Sequence, residues 1–222
     1  MSLEDKVQDK ESKSFAKKAF RLGFNAAAAV ATTALSMATV GTVGPIVGAA
    51  LAGGGLIGHL IKGKSLYEST VDALKAYAAV NAVIWPIVAL GNATFPLIPN
   101  ETIIGKAART LYASTLYNAA FVGAFRGAAH LVDNYLNPIG ITKTIKDNFY
   151  NEWKRIGLGF LPGYALDANG ITKLMGLPTF AVNAFPLGLY NAVNPVPVAK
   201  KSAYSSYSPG YSMPSMSPQP AR

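Results

Sequence analysis

Long uncharged stretches alternate with short charged ones along this chain. Residues 22–61 contain no charged side chain, and neither do residues 76–100. A helix that crosses a membrane needs about 20 apolar residues, because each residue advances the helix by about 1.5 Å. The first stretch is twice that length and predicts two membrane spans. The second is long enough for a third.

The first stretch contains one helix-breaking signal, Gly44-Pro45. Proline cannot continue the hydrogen bonding of a preceding turn, but it is tolerated at the start of a new helix. We therefore predict a helical hairpin with legs at 24–42 and 45–61. Small residues recur along the second leg at spacings that let a neighbouring backbone approach closely. They predict a helix-packing face made of Gly44, Gly48, Ala52, Gly54 and Gly58.

The second half of the chain predicts less regular membrane segments. We expect a kink at Pro86 within the third span, and a fourth span at 107–132. Residues 157–199 are apolar but are interrupted by prolines and charges, so we expect a broken span near 174–194 with a re-entrant or surface segment before it. The predicted fold is an all-α polytopic membrane bundle of four to five spans, kinked by proline and glycine, with amphipathic surface helices.

Polar segments flank or interrupt this bundle. In residues 1–21 the acids precede the bases, an order that suits a helix dipole and predicts a polar N-terminal helix. A surface-lying anchor is the alternative.

Residues 138–156 predict an interfacial helix with one apolar face, made of Ile141, Ile145, Phe149, Trp153 and Ile156. Residues 200–222 are rich in Ser, Pro and Tyr and predict a disordered tail unless a partner holds it. The membrane bundle is expected between these termini, at 22–199.

The amino-acid composition favours a membrane protein over a soluble one. Half of the residues are hydrophobic and 14% are charged, whereas a typical soluble domain has about 25% charged residues. An integral membrane protein is therefore the main interpretation, and a very apolar soluble helical bundle is the alternative. The net charge of +9 favours anionic lipid headgroups or an acidic protein as partner. No nucleic-acid motif occurs, so we expect no nucleic-acid partner.

Candidate catalytic chemistry is sparse. The chain has no cysteine, which excludes disulfides, thiolate catalysis and cysteine-ligated metals. His59 and His130 each stand alone, and no metalloprotease, nucleophile-elbow or phosphate-loop motif occurs. Asp167 and Lys173 are candidates for an ion pair in the broken region. We expect no enzyme activity, no metal and no cofactor.

Polar residues inside the predicted spans are the candidates for solute or lipid contacts, because each needs a partner in a membrane. They are Asn81, Asn92, Arg126 and His130. Two interpretations of Arg126 stay open. Its side chain either extends to the membrane interface or faces a polar cavity inside the bundle.

The region of the third span resembles the signature of the Mpv17/PMP22 family, in which Trp-Pro is followed by asparagine, phenylalanine and prolines. The matching residues are Trp85, Pro86, Asn92, Phe95, Pro96 and Pro99. The earlier stretch "GTVGPIVG" is similar to a Gly-Pro segment of that family. The resemblance implies a four-span protein of mitochondrial or peroxisomal membranes with a proposed pore role. We expect the mitochondrial inner membrane.

Two functions fit these features. The first is a non-catalytic structural or accessory subunit of a larger membrane assembly, held to other membrane subunits by small-residue packing and by its termini. The alternative is a small-solute channel or carrier, indicated by the kinked helices, the polar intramembrane residues and the family resemblance. A hairpin at 22–61 would also place the basic segments at 1–21, 62–75 and 133–156 on one side of the membrane, as the positive-inside rule requires.

Overall fold

The computed structural model describes residues 3–147, 149–171, 173–174 and 177–195, and these are almost entirely helical. The helices are α1 (Leu3–Val40), α2 (Val43–Ile61), α3 (Leu66–Thr94), α4 (Ile103–Tyr112), α5 (Asn118–Asp133), α6 (Ile141–Lys146), α7 (Phe149–Ala168) and α8 (Thr179–Val193). A 3₁₀ turn follows α3 at Phe95–Leu97, and a π-helical turn joins α4 to α5 at Ala113–Tyr117. Strands β1 (Lys173–Leu174) and β2 (Leu177–Pro178) form one short antiparallel pair. The predicted all-α class is confirmed, and the tail at 200–222 lies outside the described residues.

Within the described residues, three helices are long and apolar enough to cross a membrane, judged by length and composition. They are Ser12–Val40 within α1, Val43–Ile61, and Leu66–Leu97. These helices indicate an integral membrane protein. The further spans predicted at 107–132 and 174–194 overlap the run from α4 to α5 and α8, and their crossing of a membrane stays a prediction.

The hairpin between the first two helices is present, but its turn lies at Gly41-Thr42 and not at Gly44-Pro45. Gly41 has a φ of +66°, a left-handed conformation that glycine adopts without steric cost and that often ends a helix. Pro45 is instead in the first turn of α2, where its missing N–H costs no helical hydrogen bond. Helix α1 is also uninterrupted, so the polar arm predicted at 1–21 continues directly into the first apolar segment.

Helix α3 begins ten residues before the predicted span because Ser65 caps it. The Ser65 hydroxyl accepts a hydrogen bond from the Glu68 N–H at 3.2 Å and lies 3.1 Å from the Glu68 carboxylate. This arrangement satisfies backbone donors that a helix start otherwise leaves unpaired. The charged residues before the apolar stretch therefore belong to the helix, which then continues through Pro86 to Thr94.

The interfacial helix predicted at 138–156 is two helices, α6 and α7. Its apolar face covers the protein's own core and not a membrane surface: Ile156 is buried in that core, and Phe149 and Trp153 pack against it. The predicted helical periodicity is confirmed, but the prediction that this apolar face lies on a membrane surface was wrong. Helix α7 then continues to Ala168 through a stretch expected to be re-entrant or on the surface.

The main core lies between α2, α3, α5, α7 and α8. Its buried members are Val47, Val80, Val122, Ile156, Phe160, Ala184 and Leu187. Helix α1 lies outside this core and packs on α3, partly through polar contacts. The Asn25 side chain donates to the Val71 carbonyl at 3.2 Å, and the Thr33 and Tyr77 hydroxyls are 3.0 Å apart.

Three basic segments meet at one end of the bundle. There the end of α5 meets α1 and the start of α3, since Asp133 pairs with Arg21 at 3.3 Å and with Lys75 at 2.9 Å. The same three segments carry exposed lysines: Lys17, Lys18, Lys62, Lys64, Lys143, Lys146 and Lys154. We call this end of the bundle the basic end. The three basic segments that the hairpin prediction placed on one side of a membrane therefore meet at one end of the molecule.

Candidate functional site

Two open cavities follow one another along the helices of the main core. The charged cavity, at the basic end, has a volume of about 570 Å³, and the apolar cavity has a volume of about 400 Å³. On α3, residues between 72 and 76 line the charged cavity and residues between 84 and 92 line the apolar cavity. On α7, residues between 152 and 160 line the charged cavity and residues between 160 and 168 line the apolar cavity. Both volumes are typical of small-molecule sites, which span about 300–1,000 Å³.

The charged cavity carries equal numbers of acidic and basic residues. Its ionisable lining residues are His59, Asp72, Lys75, Arg126, Asp147, Glu152 and Arg155, which are three acids, three bases and one histidine. Asp72 lies 3.2 Å from the Lys64 ammonium and 3.5 Å from that of Lys75. Pairing of this kind makes charges tolerable away from water. The cavity therefore carries charges of both signs in a largely apolar lining, with no excess of either sign.

Arg126 lies at the wall of this cavity. Its side chain is only 13% exposed and forms an ion pair with Glu152 of α7. Its Nε also donates to the Thr144 carbonyl at 2.7 Å. Of the two interpretations of Arg126, the structure supports the one in which the side chain faces a cavity. The guanidinium joins α5 to α6 and α7 and does not extend away from the bundle.

The other polar residues singled out in the sequence lie in three different places. His130 is buried, and its Nε2 donates to the Ile139 carbonyl at 3.0 Å while Nδ1 lies 2.8 Å from the Thr144 hydroxyl. Asn81 is fully buried and donates to the Tyr77 carbonyl at 3.0 Å. Neither residue lines the charged or the apolar cavity. Asn92 lines the apolar cavity.

The predicted packing face of α2 is buried, and its glycines are covered by three helices of the same chain. Gly44 lies between α1 and α3, where a Cβ would overlap the Ser36 hydroxyl and lie 2.8 Å from the Ile84 side chain. Gly48 lies against α3, where a Cβ would be 2.9 Å from the Asn81 amide nitrogen. Gly54 and Gly58 lie against α8, where a Cβ on Gly54 would overlap the Phe185 carbonyl oxygen. Ala52, also buried, lines the charged cavity. The face serves to hold this chain together.

The apolar cavity has mostly aliphatic and aromatic walls. Its polar lining residues are Asn92, Arg109, Tyr117, Tyr164 and Asp167. The Arg109 guanidinium donates to the carbonyls of Phe95 and Ile98, each at 2.8 Å, and so fixes the turn after α3. Asp167 therefore belongs to this site, whereas the Lys173 side chain predicted to pair with it lies outside the described side chains.

Phe121 and Phe160 are shared by the two cavities, since each lines both. We call this pair the septum. Phe160 is buried in the main core, and Phe121 packs against that core. The septum therefore lies at the boundary between the two cavities.

A reciprocal contact between α5 and α7 positions the septum. The Thr115 carbonyl, in the π-helical turn, accepts from the Trp153 indole N–H at 2.9 Å in addition to the Asn118 backbone N–H. In return the Asn118 side chain donates to the Trp153 carbonyl at 2.7 Å. Gly157 lets the helices approach, because a Cβ there would be 2.7 Å from the Ser114 carbonyl oxygen. Single π-helical turns often occur at functional sites.

Sequence reasoning did not find the septum or the contact that positions it. Trp153 was assigned only to an amphipathic face, and Phe121 and Phe160 belong to different predicted segments. Their proximity depends on how α5 and α7 pack, which no local spacing encodes.

Within the described ranges, no group of three or more histidine or acidic side chains is placed to hold a metal ion. In comparisons with protein-family models, with curated proteins and with solved structures, nothing matches this chain. The resemblance to the Mpv17/PMP22 family therefore stays a prediction, and function is argued from geometry.

Proposed function

We propose that this protein is a non-enzymatic integral membrane protein that carries a small solute across a bilayer, as a channel or carrier. The observation that supports this is the alignment of the two cavities with the helix axes. If the helices at 12–40, 43–61 and 66–97 cross the membrane, the charged cavity faces one side and the apolar cavity faces the other. The proposal includes further spans in the α4–α5 run and in α8, which gives four to five in total.

The orientation follows from the basic end. Basic residues are retained on the side from which a membrane protein is inserted, so the charged cavity faces that side and the exposed lysines contact anionic headgroups there. The mitochondrial inner membrane is the location that we propose, and it rests on the family resemblance alone. The basic end would then face the matrix.

The test is solute flux in proteoliposomes. The purified chain is reconstituted, and light scattering follows the re-swelling of vesicles placed in hyperosmotic glycerol, urea, glycine or potassium chloride. We expect faster re-swelling than in empty vesicles for at least one of these solutes. Absence of flux for all four solutes would overturn the proposal.

Arg126 supplies the matched variants. We expect Arg126→Ala to change the flux, because it leaves Glu152 uncompensated at the cavity wall. The double variant Arg126→Gln, Glu152→Gln removes both charges together and controls for that imbalance. Lys154→Ala is the control, since Lys154 is exposed on α7 and is not part of the cavity lining. Equal flux in all of these proteins would contradict a role for the charged cavity.

A second candidate function is an accessory subunit of a larger membrane assembly. It is favoured by the outer face of α1, where small residues remain exposed at helical spacing: Gly23, Ala27, Ala31, Ala34 and Ala38. Such faces allow close helix approach in membranes. The test is the native mass of the protein extracted from its own membrane in mild detergent. A chain that migrates alone would overturn this candidate.

A further inference from the structure

The septum residues Phe121 and Phe160 border both cavities, so a solute that passes from one cavity to the other meets their rings. We infer that Phe121 and Phe160 are the selectivity residues of this passage, and that it admits small uncharged polar solutes and excludes ions. The inference rests on the proposed function and adds to it the class of solute and the residues that select it.

Ions are excluded because the septum is surrounded by apolar side chains. Val47, Val122 and Ile156 belong to the same core cluster as Phe160, and Phe121 packs against it. An ion would have to shed its hydration shell between these side chains, and burying an unpaired charge in apolar surroundings is strongly unfavourable. Hydrophobic constrictions block ions by dewetting for the same reason. An uncharged solute loses only a few hydrogen bonds over the same short distance.

The charged cavity does not favour an ion of either sign. A passage selective for cations or anions normally presents a ring of one charge at its entrance. Here the three acidic and three basic lining residues balance, and Arg126 and Asp72 are engaged in ion pairs. The paired charges supply a polar surface without attracting one ionic class.

The apolar cavity fits a solute with both hydroxyl or amide groups and a carbon skeleton. The phenol groups of Tyr117 and Tyr164 and the amide of Asn92 line it beside Ile84 and Val88. Phenols and amides both donate and accept hydrogen bonds, so they can replace the water around an uncharged polyol or amide. Arg109 and Asp167 bring opposite charges to the same lining, and the Arg109 guanidinium already donates to two carbonyls, so the lining favours neither ionic sign.

The septum rings border the space of both cavities, because both residues line both. Rotation about χ1 would move a ring toward one of these cavities, and we infer that the septum opens in this way. The stacking of Phe121 on Phe125, with ring centroids 6.0 Å apart, stabilises one ring position through a contact that rotation would break.

The experiment measures three probes in proteoliposomes: glycerol, the larger polyol mannitol, and potassium ion. Wild-type protein is expected to pass glycerol and to exclude mannitol and potassium. We expect Phe160→Ala and Phe121→Ala to raise mannitol flux several-fold and to admit potassium. Phe149→Ala is the matched control, because Phe149 packs against the same core but is absent from both cavity linings. It should leave the selectivity unchanged.

Folding is checked by circular dichroism and by gel filtration in detergent. If an alanine variant does not fold, the leucine variants Phe160→Leu and Phe121→Leu replace it, since they keep most of the apolar volume and still remove the ring. Increased mannitol flux in the septum variants but not in Phe149→Ala supports the inference.

Two results would overturn the inference while leaving the proposed function in place. One is potassium flux through the wild type at a rate comparable to glycerol. The other is glycerol flux with unchanged exclusion of mannitol in every folded septum variant. Absence of glycerol flux in the wild type and in all variants would overturn the proposed function itself, provided that urea, glycine and potassium chloride also fail to enter.

Discussion

Helices α1 and α2 both carry small residues at helical spacing, yet the two faces have opposite surroundings. The glycines of the α2 packing face, Gly44, Gly48, Gly54 and Gly58, are buried against α1, α3 and α8. The corresponding residues of α1, from Gly23 to Ala38, are exposed. Small residues at this spacing allow close helix approach, but they do not specify which helix approaches. A face of this kind holds one chain together in the first case and is open to lipid or to another chain in the second.

A second difference exists within α2 itself. Gly54 lies against backbone atoms of α8, since a Cβ there would be 2.9 Å from the Leu189 amide nitrogen. Gly48 lies against side chains of α3, where a Cβ would be 2.9 Å from the Asn81 amide nitrogen and 3.1 Å from the Tyr77 ring. Side chains can turn away, whereas a helix backbone has to move as a whole. The two glycines should therefore tolerate an added methyl group differently.

The largest loss of stability is expected for Gly54→Ala. The methyl group would force α2 and α8 apart, and overpacking of this kind costs about 1–3 kcal/mol or more. Gly55→Ala is the matched control, because a Cβ there has no atom within 4 Å and alanine gains about 1 kcal/mol of helix propensity over glycine. Thermal unfolding in detergent, followed by circular dichroism, compares the two. Equal melting temperatures would contradict the close contact between α2 and α8.

A smaller loss of stability is expected for Gly48→Ala. Asn81 and Tyr77 must shift by a fraction of an ångström, and the gain in helix propensity offsets part of the cost, which leaves a net loss of about 1 kcal/mol. Gly53→Ala is its control, since the nearest atom to a Cβ there is 4.0 Å away. The measurement is the same melting curve. A loss as large as that of Gly54→Ala would show that the α3 side cannot adjust either, and would remove the difference between the two glycines.

The sequence pattern predicted helices and apolar stretches well because these are local properties. The hairpin and the third apolar helix followed from the spacing of charged residues. Boundaries were less accurate where a side chain decides them: the Ser65 cap extends α3 backward, and Gly41 ends α1 before Gly44-Pro45 is reached. Both signals are present in the sequence but are short.

The candidate site was less predictable because its parts come from distant segments. Arg126 was singled out as a charge in an apolar stretch, but its ion-pair partner Glu152 belongs to a segment that was expected to lie on a membrane surface. Phe121 and Phe160 are ordinary aromatic residues in their own segments. Only the packing of α5 on α7 makes them shared walls of two cavities, and packing depends on contacts between residues far apart in the chain.

The smallest effect on the isolated chain is expected for Ala31→Leu, which tests the outward face of α1. Ala31 is exposed, so the leucine side chain contacts detergent or lipid and should change the free energy of unfolding by less than about 0.5 kcal/mol. Ala29→Leu is the matched control on the same helix, because Ala29 is 7% exposed and packs with Ala78 of α3. There leucine should cost about 1–3 kcal/mol by overpacking.

The same pair of variants separates the two uses of small-residue faces. If Ala31→Leu leaves the melting temperature of the isolated chain unchanged but lowers its native mass after extraction from the membrane, the α1 face contacts another subunit, and the accessory role gains support. If both quantities stay unchanged, lipid covers the face. If Ala31→Leu destabilises the isolated chain as much as Ala29→Leu does, α1 is packed on both sides. The contrast between α1 and α2 would then be wrong.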